Sequence, residues 1–368
     1  MITYLKVCLF LMGWGMMNIL PAPAKPLRVG VAGLTHGHVH WILRRAADPD
    51  IEIVGIAEPT RDLAQRLTRQ YGLSMDIVYT DLKQMLDETR PDAVTAFNDI
   101  FGHLAVVEAC APRGIHVMVE KPLAVSLAHA RKMHELATHY GIHLLTNYET
   151  TWYPSNHQLY QMTREADFGE IRKMVVHDGH QGPIEIGCNA EFLEWLTDPH
   201  LNGGGALTDF GCYGANLISW MMKGERPLSV MALTQQIKPA KYPKVDDEAT
   251  IVLQYQQAQG IIQASWNWPY SRKDMEVYGT YAAAFADNRY EVRSRAAESK
   301  EFEKRVLKER EEPYHDPFAF FAAVIREDIT LPPYDLSSLE NNMLVMEILE
   351  AAKESASTGK VVKLKIDK

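Results

Sequence analysis

Leu27-Arg28-Val29-Gly30-Val31-Ala32-Gly33-Leu34-Thr35-His36-Gly37-His38-Val39-His40 decides how the rest of the chain is read. A short apolar run ends in Gly33, and a helical pattern follows from His40 to Ala47. A strand that ends on glycine and passes into a helix opens a βαβ unit, with free helix N–H groups above the turn. The alternation continues. Ile51 to Ala57 is strand, ended by Glu58-Pro59, and Arg61 to Tyr71 is an amphipathic helix closed by Gly72. Ile77 to Tyr79, Ala93 to Ala96, His116 to Val119 and Ile142 to Thr146 read as further strands, with helices at about 81–89, 101–112 and 126–140 between them. Such alternation builds a parallel sheet with helices on both faces. Ligands bind beyond the carboxyl ends of its strands, so chemistry is expected in the turns after Ala32, Ala57, Ala96 and Val119.

From about residue 148 the runs lengthen and alternate: Arg172 to His177, Leu228 to Gln235, Ala249 to Tyr255, Gly260 to Trp266 and Met275 to Gly279. The run to Tyr255, a polar turn and the run from Gly260 predict a β-hairpin. A second domain built on an antiparallel sheet follows. Glu298 to Glu312 reads as a solvated helix or loop. Phe318 to Ile325 and Leu339 to Ser357 are helical, and Val361 to Ile366 reads as a closing strand.

The 368 residues are 46% hydrophobic and 23% charged, enough for two cores. Net charge is −9 with no long block of one sign, which argues against a nucleic-acid surface. Cys8, Cys110, Cys188 and Cys212 show neither metal spacing nor a disulfide framework. Residues 1–24 read as a secretory signal peptide: Lys6, an apolar run to Leu20, then Pro21-Ala22-Pro23-Ala24. The protein is therefore expected to be exported, to the periplasm, without stable membrane insertion. An uncleaved anchor or a misread start codon is the competing account.

In the first turn, the second and third positions of a dinucleotide fingerprint hold Thr35 and His38 instead of glycine. Both can still donate hydrogen bonds to a diphosphate. Glu58, 25 residues after Gly33, suits adenosine ribose hydroxyls and favours NAD over NADP. His36, His38 and His40 raise a metal reading, but the trio is not expected to converge and no acid is adjacent, so no metal is expected. Glu120-Lys121-Pro122 puts an ammonium at a strand's carboxyl end, where it can ease deprotonation of a reacting hydroxyl. The second chemical stretch is Asn202-Gly203-Gly204-Gly205-Ala206-Leu207-Thr208-Asp209-Phe210-Gly211-Cys212-Tyr213-Gly214-Ala215-Asn216. A helix from near Gly205 puts Asp209 and Tyr213 on one face, with Asn216 and Trp220 following. His180 ends a strand rich in polar groups. Asn147, Glu149, Trp152 and Tyr153 sit at the domain junction, and Trp266 to Tyr270 offers aromatic faces for sugars.

Glu120-Lys121-Pro122 and the triple glycine leading to Asp209-x-Gly211-x-Tyr213 resemble the glucose–fructose oxidoreductase / inositol dehydrogenase (Gfo/Idh/MocA) family. The Asn98…His103 loop and Glu276 to Thr280 support the likeness, which covers about residues 26–366. It implies an α/β fold: an N-terminal Rossmann domain (25–147), then an α+β domain with a large, mostly antiparallel open sheet (148–335). Residues 336–368 would return to the first domain. It further implies NAD and hydride transfer to or from a sugar or polyol. Lys121 then matches the catalytic lysine and Asp209 the substrate-placing aspartate. Tyr213 stands in the acid/base position, and Asn216 where another acid is common. A phenol there needs a nearby cation to lower its pKa, and Lys121 is the neighbour expected to supply it. The cofactor cradle falls on Gly33, Leu34, Thr35, His36, His38, Glu58, Asn98, His103, Glu120 and Lys121. Substrate contacts fall on His180, Asn147, Trp152, Tyr153, Asp209 and Tyr213.

Export raises the question of cofactor supply, which a tightly held, recycled nicotinamide would answer. Alternatives are a redox-assisted glycoside-cleaving enzyme working through a keto-sugar, and a non-catalytic sugar-binding protein that retains the fold. Self-association as a dimer or tetramer through the open sheet is expected.

Overall fold

In the computed structural model, which describes residues 25–364, the first half of the chain forms one parallel sheet. The leader read from residues 1–24 lies outside the described residues, as does the end of the closing strand beyond residue 364. The strands are β1 (Leu27–Ala32), β2 (Ile51–Ala57), β3 (Val78–Tyr79), β4 (Ala93–Ala96), β5 (His116–Glu120) and β6 (Leu144–Asn147), in the order β3-β2-β1-β4-β5-β6. The order reverses beside β1, so the ends of β1 and β4 flank a crevice. Helices α1 (Val39–Leu43), α2 (Arg61–Tyr71), α3 (Leu82–Thr89), α4 (His103–Cys110) and α5 (Leu127–Tyr140) make the crossovers. Val31, Val94, Val117 and Val119 are wholly buried, as strands covered on both faces must be. Local chemistry sets the helix ends. The side chains of Asp81 and Ser126 accept N–H groups in the first turns of α3 and α5, and Gly72 and Gly141 close α2 and α5.

The second half supplies α6 (Pro154–Met162), β7 (Ile171–Gly179), α7 (Ala190–Leu196), α8 (Ala206–Asp209) and α9 (Gly211–Met221). Then come β8 (Ser229–Gln235), β9 (Glu248–Gln254), β10 (Gln259–Ser265), β11 (Arg272–Gly279), β12 (Ala282–Ala286), β13 (Glu291–Ala296) and β14 (Glu303–Val306). The chain closes with α10 (Pro317–Ile325), α11 (Leu339–Thr358) and β15 (Val362–Lys363). The sheet order is β14-β13-β12-β11-β7-β10-β9-β8-β15, antiparallel throughout except where β7 meets β10. The β9–β10 hairpin forms as read. One face is covered by α9, every residue of which is buried, and by α11. Helix α11 also touches α5 and β6 of the first domain.

Three features depart from the sequence reading. Glu298 to Glu312 is not all helix or loop: it contains β14, an edge strand with all four side chains exposed. Charges on both faces of an edge strand block further pairing, and they also hide the strand from a hydropathy reading. Next, α10 follows the second sheet in sequence, yet Phe318, Phe321 and Val324 share a core with Val29 and Val31 of β1 and Ile42 of α1. Finally, the helix expected from Gly205 is broken at Phe210, which separates α8 from α9.

The start of α8 is wedged against the loop before β9. Asp246 accepts the N–H groups of Gly205 (3.0 Å) and Leu207 (2.7 Å), and a Cβ on Gly205 would stand 1.8 Å from the Asp246 carbonyl oxygen. Gly205→Ala is expected to lower the unfolding free energy by about 2–4 kcal/mol. Gly37→Ala, which has open space around it, should stay within about 0.5 kcal/mol of the parent. Urea midpoints of the two variants check this.

Candidate active site

The turn after β5 carries Lys121 into the interior. The Lys121–Pro122 peptide is cis, and buried His103 steadies the turn by donating from Nδ1 to the Leu123 carbonyl at 3.1 Å. Lys121 Nζ bonds the Asp209 carboxylate and also the Asp209 main-chain carbonyl, at 3.1 Å. The break at Phe210 permits the second bond. In an unbroken helix the Asp209 carbonyl would accept the N–H of Tyr213. That N–H goes instead to the Phe210 carbonyl at 3.1 Å, which leaves the Asp209 carbonyl to Lys121 and the Cys212 thiol. The other Asp209 oxygen accepts the Trp266 indole N–H at 2.9 Å. Burial opposes charge on both partners, but each raises the other's charged population: Lys121 is held above the usual lysine value and Asp209 below the usual aspartate value.

A cavity of about 250 Å³ is lined by Lys121, Asp209, Tyr213, His180, His36 and Lys273, among others. The ammonium groups of Lys121 and Lys273 lie 5.1 and 4.8 Å from the centre of the Tyr213 ring. The expected lowering of the phenol's pKa does not follow. Burial, reinforced by Glu149 and Cys212, pushes Tyr213 well above the ordinary tyrosine value. Desolvation outweighs the two cations, and Tyr213 stands as a neutral donor. His180 Nδ1 accepts the N–H of Gly182 at 3.0 Å, so the proton of a neutral ring sits on Nε2. Burial lowers its pKa to about 4. Lys121, Tyr213 and His180 therefore all bring protons to the cavity.

Lys273 escaped the sequence reading because it lies in Arg272-Lys273-Asp274, just before the recognised run. Strand β11 begins there, and Lys273, Met275 and Val277 alternate onto the inner face. A lysine in that register was the available signal. Lys273 pairs with Glu149, which also accepts the Tyr153 hydroxyl at 2.5 Å. Burial alone would raise the Glu149 carboxyl, but Lys273 and Tyr153 bring it to about 2. Across from Lys273 on β7 sits Asp178, fully buried, with neither carboxylate oxygen bonded.

The dinucleotide side is organised around Gly33, whose φ is +78° and whose Cβ would meet Asn98 at 2.7 Å. Glu58 is at the predicted strand end but is buried, and it accepts the N–H groups of Leu34 (2.9 Å) and Thr60 (2.8 Å). It braces the turn. Thr35 Oγ1 donates to the Phe97 carbonyl at 3.4 Å. Buried His36 Nε2 and Asn98 Oδ1 have no partner. Two orphaned polar atoms at the ends of β1 and β4 fit a dinucleotide held in this crevice. Helix α7 lies across the turn. His36 packs between Phe192 and Trp195, with ring centres 5.0 and 5.7 Å away, and Glu191 pairs with Arg66 of α2 at 2.5 Å.

Several expected ligand contacts are supports instead. Glu120 accepts His38 Nδ1–H (2.9 Å) and Asn147 Nδ2–H (2.8 Å), and Trp152 donates to Asn147 Oδ1 at 2.9 Å. Asn147 and Trp152 thus stand behind Glu120 and not against substrate. Trp266 is buried against Asp209 instead of offering a face to sugars. Asn216 does not share the face of Asp209 and Tyr213: it is buried, with Nδ2 donating to the Leu336 carbonyl at 2.8 Å.

The histidine reading also changes. His40 turns away to Tyr71, 2.7 Å from its hydroxyl, but the end of β5 brings an acid to the other two. His36, His38 and Glu120 offer ligand atoms within 4.8 Å of one another. His36 Nδ1 accepts the N–H of His38 at 3.1 Å, so in the neutral ring its Nε2 is protonated and lacks a lone pair for a metal.

Two family profiles match this chain, one per domain. Residues 27–148 match the oxidoreductase family with an NAD-binding Rossmann fold, and residues 156–284 match the GFO/IDH/MocA C-terminal domain. The chain belongs to the Gfo/Idh/MocA family. Residues 27–148 are accordingly an NAD-binding Rossmann domain.

One relative is the dTDP-3,4-didehydro-2,6-dideoxy-alpha-D-glucose 3-reductase of Actinomadura kijaniata. It is 30% identical over 202 residues, which cover 52% of this chain and 55% of the reductase. The chain spans about half to two thirds of the length of the curated relatives it first matches. Among solved structures, the inositol dehydrogenase homolog of Azotobacter vinelandii complexed with NAD+ superposes with a TM-score of 0.80 at 20% identity, covering 93% of this chain and 98% of that one. The aldose-aldose oxidoreductase of Caulobacter crescentus complexed with glycerol gives 0.78 at 20% identity, covering 92% and 100%. At these identities the likeness speaks for the fold.

Burial tends to raise Glu120, but His38, His36 and Asn147 bring its pKa from 4.5 to about 2. Because the folded value is depressed, this stability is present above about pH 4.5 and lost as pH falls toward 2. Glu120→Gln is expected to flatten that acid limb by up to about 3 kcal/mol, as read from urea midpoints across the same pH range.

Proposed function

We propose that this protein transfers hydride between NAD(H) and a hydroxyl or keto carbon of a carbohydrate or polyol. The reading rests on the convergence of Lys121, Tyr213 and His180 on one cavity beside the dinucleotide crevice. A nicotinamide bound in that crevice supplies or accepts the hydride. Lys121, charged and doubly anchored by Asp209, donates to the reacting oxygen and stabilises negative charge there. His180 Nε2–H orients the substrate. Tyr213 passes its proton to that oxygen during reduction, and the ammonium groups of Lys121 and Lys273 then stabilise the phenolate. In the oxidative direction the same phenol must first lose its proton.

The sign of the pH dependence follows. With the Tyr213 pKa raised, reduction is expected to be flat through neutral pH, whereas oxidation climbs as pH rises toward the phenol's titration. Tyr213→Phe should remove that climb, and Lys121→Ala should lower kcat by about 10²–10⁴-fold. Parent-level turnover in either variant, on an identified sugar, would overturn the assignment.

Retention of the cofactor through the cycle is part of the proposal. Helix α7, fastened by the His36 stack and the Arg66–Glu191 pair, closes over the first turn. An exported, periplasmic protein would need such retention, and aldose–aldose chemistry in the Caulobacter relative is compatible with it. Nicotinamide is expected to survive desalting of the parent and to be lost from Phe192→Ala. Its loss from the parent, with micromolar or weaker affinity on re-addition, would contradict retention. Exposed Met231 and Leu233 on β8 support self-association through the open sheet. Among the described residues, no helix is long and apolar enough to cross a membrane.

A further inference from the structure

The reaction cavity has a larger neighbour. A space of about 740 Å³ shares His180, Ile186 and Lys273 with it and extends along β11 to the turn between β12 and β13. The outer space falls within the range of ordinary small-molecule sites, and the inner one, at about 250 Å³, falls below it. A ligand that reacts in the inner cavity therefore has room to continue outward.

The outer wall is rich in charge, and each of its cations is already paired with a carboxylate. Four cations and four carboxylates line it. Arg272 makes two bonds to Asp274, at 2.7 and 2.8 Å. Lys273 pairs with Glu149, and Arg293 with Asp287. Arg289 pairs with Glu309, outside the lining. The remaining carboxylate, Glu276, accepts the Tyr278 hydroxyl at 2.6 Å. An anionic group entering here meets cations already paired with carboxylates, and it faces those carboxylates as it does. A neutral polyhydroxylated ligand can bond to the outer lone pairs and N–H groups of these pairs without separating them. Tyr270, 59% exposed at the edge, adds a ring face for a sugar's C–H surface.

We propose that the outer cavity is a subsite for the uncharged remainder of a glycoside or oligosaccharide whose reacting ring occupies the inner cavity. This rests on the reading of the inner cavity as the reaction site. The substrate class is then neutral and at least two units long, and sugar phosphates and nucleotide-linked sugars are disfavoured.

The test uses the full-length protein carrying its nicotinamide, following the bound cofactor's absorbance in single turnovers and the products by chromatography. The panel contains neutral disaccharides and aryl glycosides, their parent monosaccharides, and the matching sugar 1-phosphates. Neutral two-unit substrates are expected to exceed their parent monosaccharides in kcat/KM by about tenfold or more. Tyr270→Ala should erase most of that advantage through KM while leaving monosaccharide turnover unchanged. Asp287→Asn leaves Arg293 without its carboxylate and should raise kcat/KM for the 1-phosphates about fivefold or more. Monosaccharides turned over as well as glycosides, or 1-phosphates preferred by the parent, would overturn the subsite and leave the proposed function standing. So would substrate ratios unmoved by both variants. No nicotinamide signal with any sugar would overturn both.

Discussion

A lysine and an aspartate 88 residues apart meet between the two sheets, almost out of water. Neither charge is tolerable there alone, and removing one partner of such a pair typically costs about 3–5 kcal/mol. The lysine comes from the end of a parallel strand in the first domain, the aspartate from a broken helix in the second. Their pairing makes the relation between the domains a condition of the chemistry. The neighbouring features serve it: His103 holds the turn that carries Lys121, Trp266 fixes the far oxygen of Asp209, and the break at Phe210 frees a carbonyl for the ammonium.

Around that pair the side chains are buried, and burial decides the protonation states. Two cations flank Tyr213, yet burial wins and the phenol stays protonated. Burial also keeps the His180 ring neutral, and a backbone N–H fixes which nitrogen carries its proton. Where carboxylates remain charged in the interior, each has named donors: His38 and Asn147 for Glu120, Lys273 and Tyr153 for Glu149. Asp178 has none, and burial accordingly pushes its carboxyl well above the usual range.

The doubly wound sheet could be read from the chain because apolar runs, glycine stops and helix caps agree locally. Lys121, Asp209 and Tyr213 were legible because each sits in a short spacing with few structural equivalents. The supporting residues were not. An indole near a strand end can face a sugar or a carboxylate with the same sequence signal, and only the packing of β10 on α8 turned Trp266 toward Asp209. Asn147 and Trp152 were expected at the ligand for the same reason. Glu120 lies 82 residues from His38, so spacing alone did not bring an acid to the two histidines, although the family likeness put all three in the cofactor cradle. Lys273 was hidden in a charged triplet, although its alternation with Met275 and Val277 marked it. The edge strand β14 was masked by the charges that protect it.

The kink at Phe210 bears on how the lysine's anchor can be dissected. One of the two bonds on the ammonium comes from an oxygen of the peptide backbone, which every amino acid at position 209 would still present. A side-chain scan of that position therefore leaves a residual tether in place, and the true strength of the clasp is visible only to changes that straighten the helix.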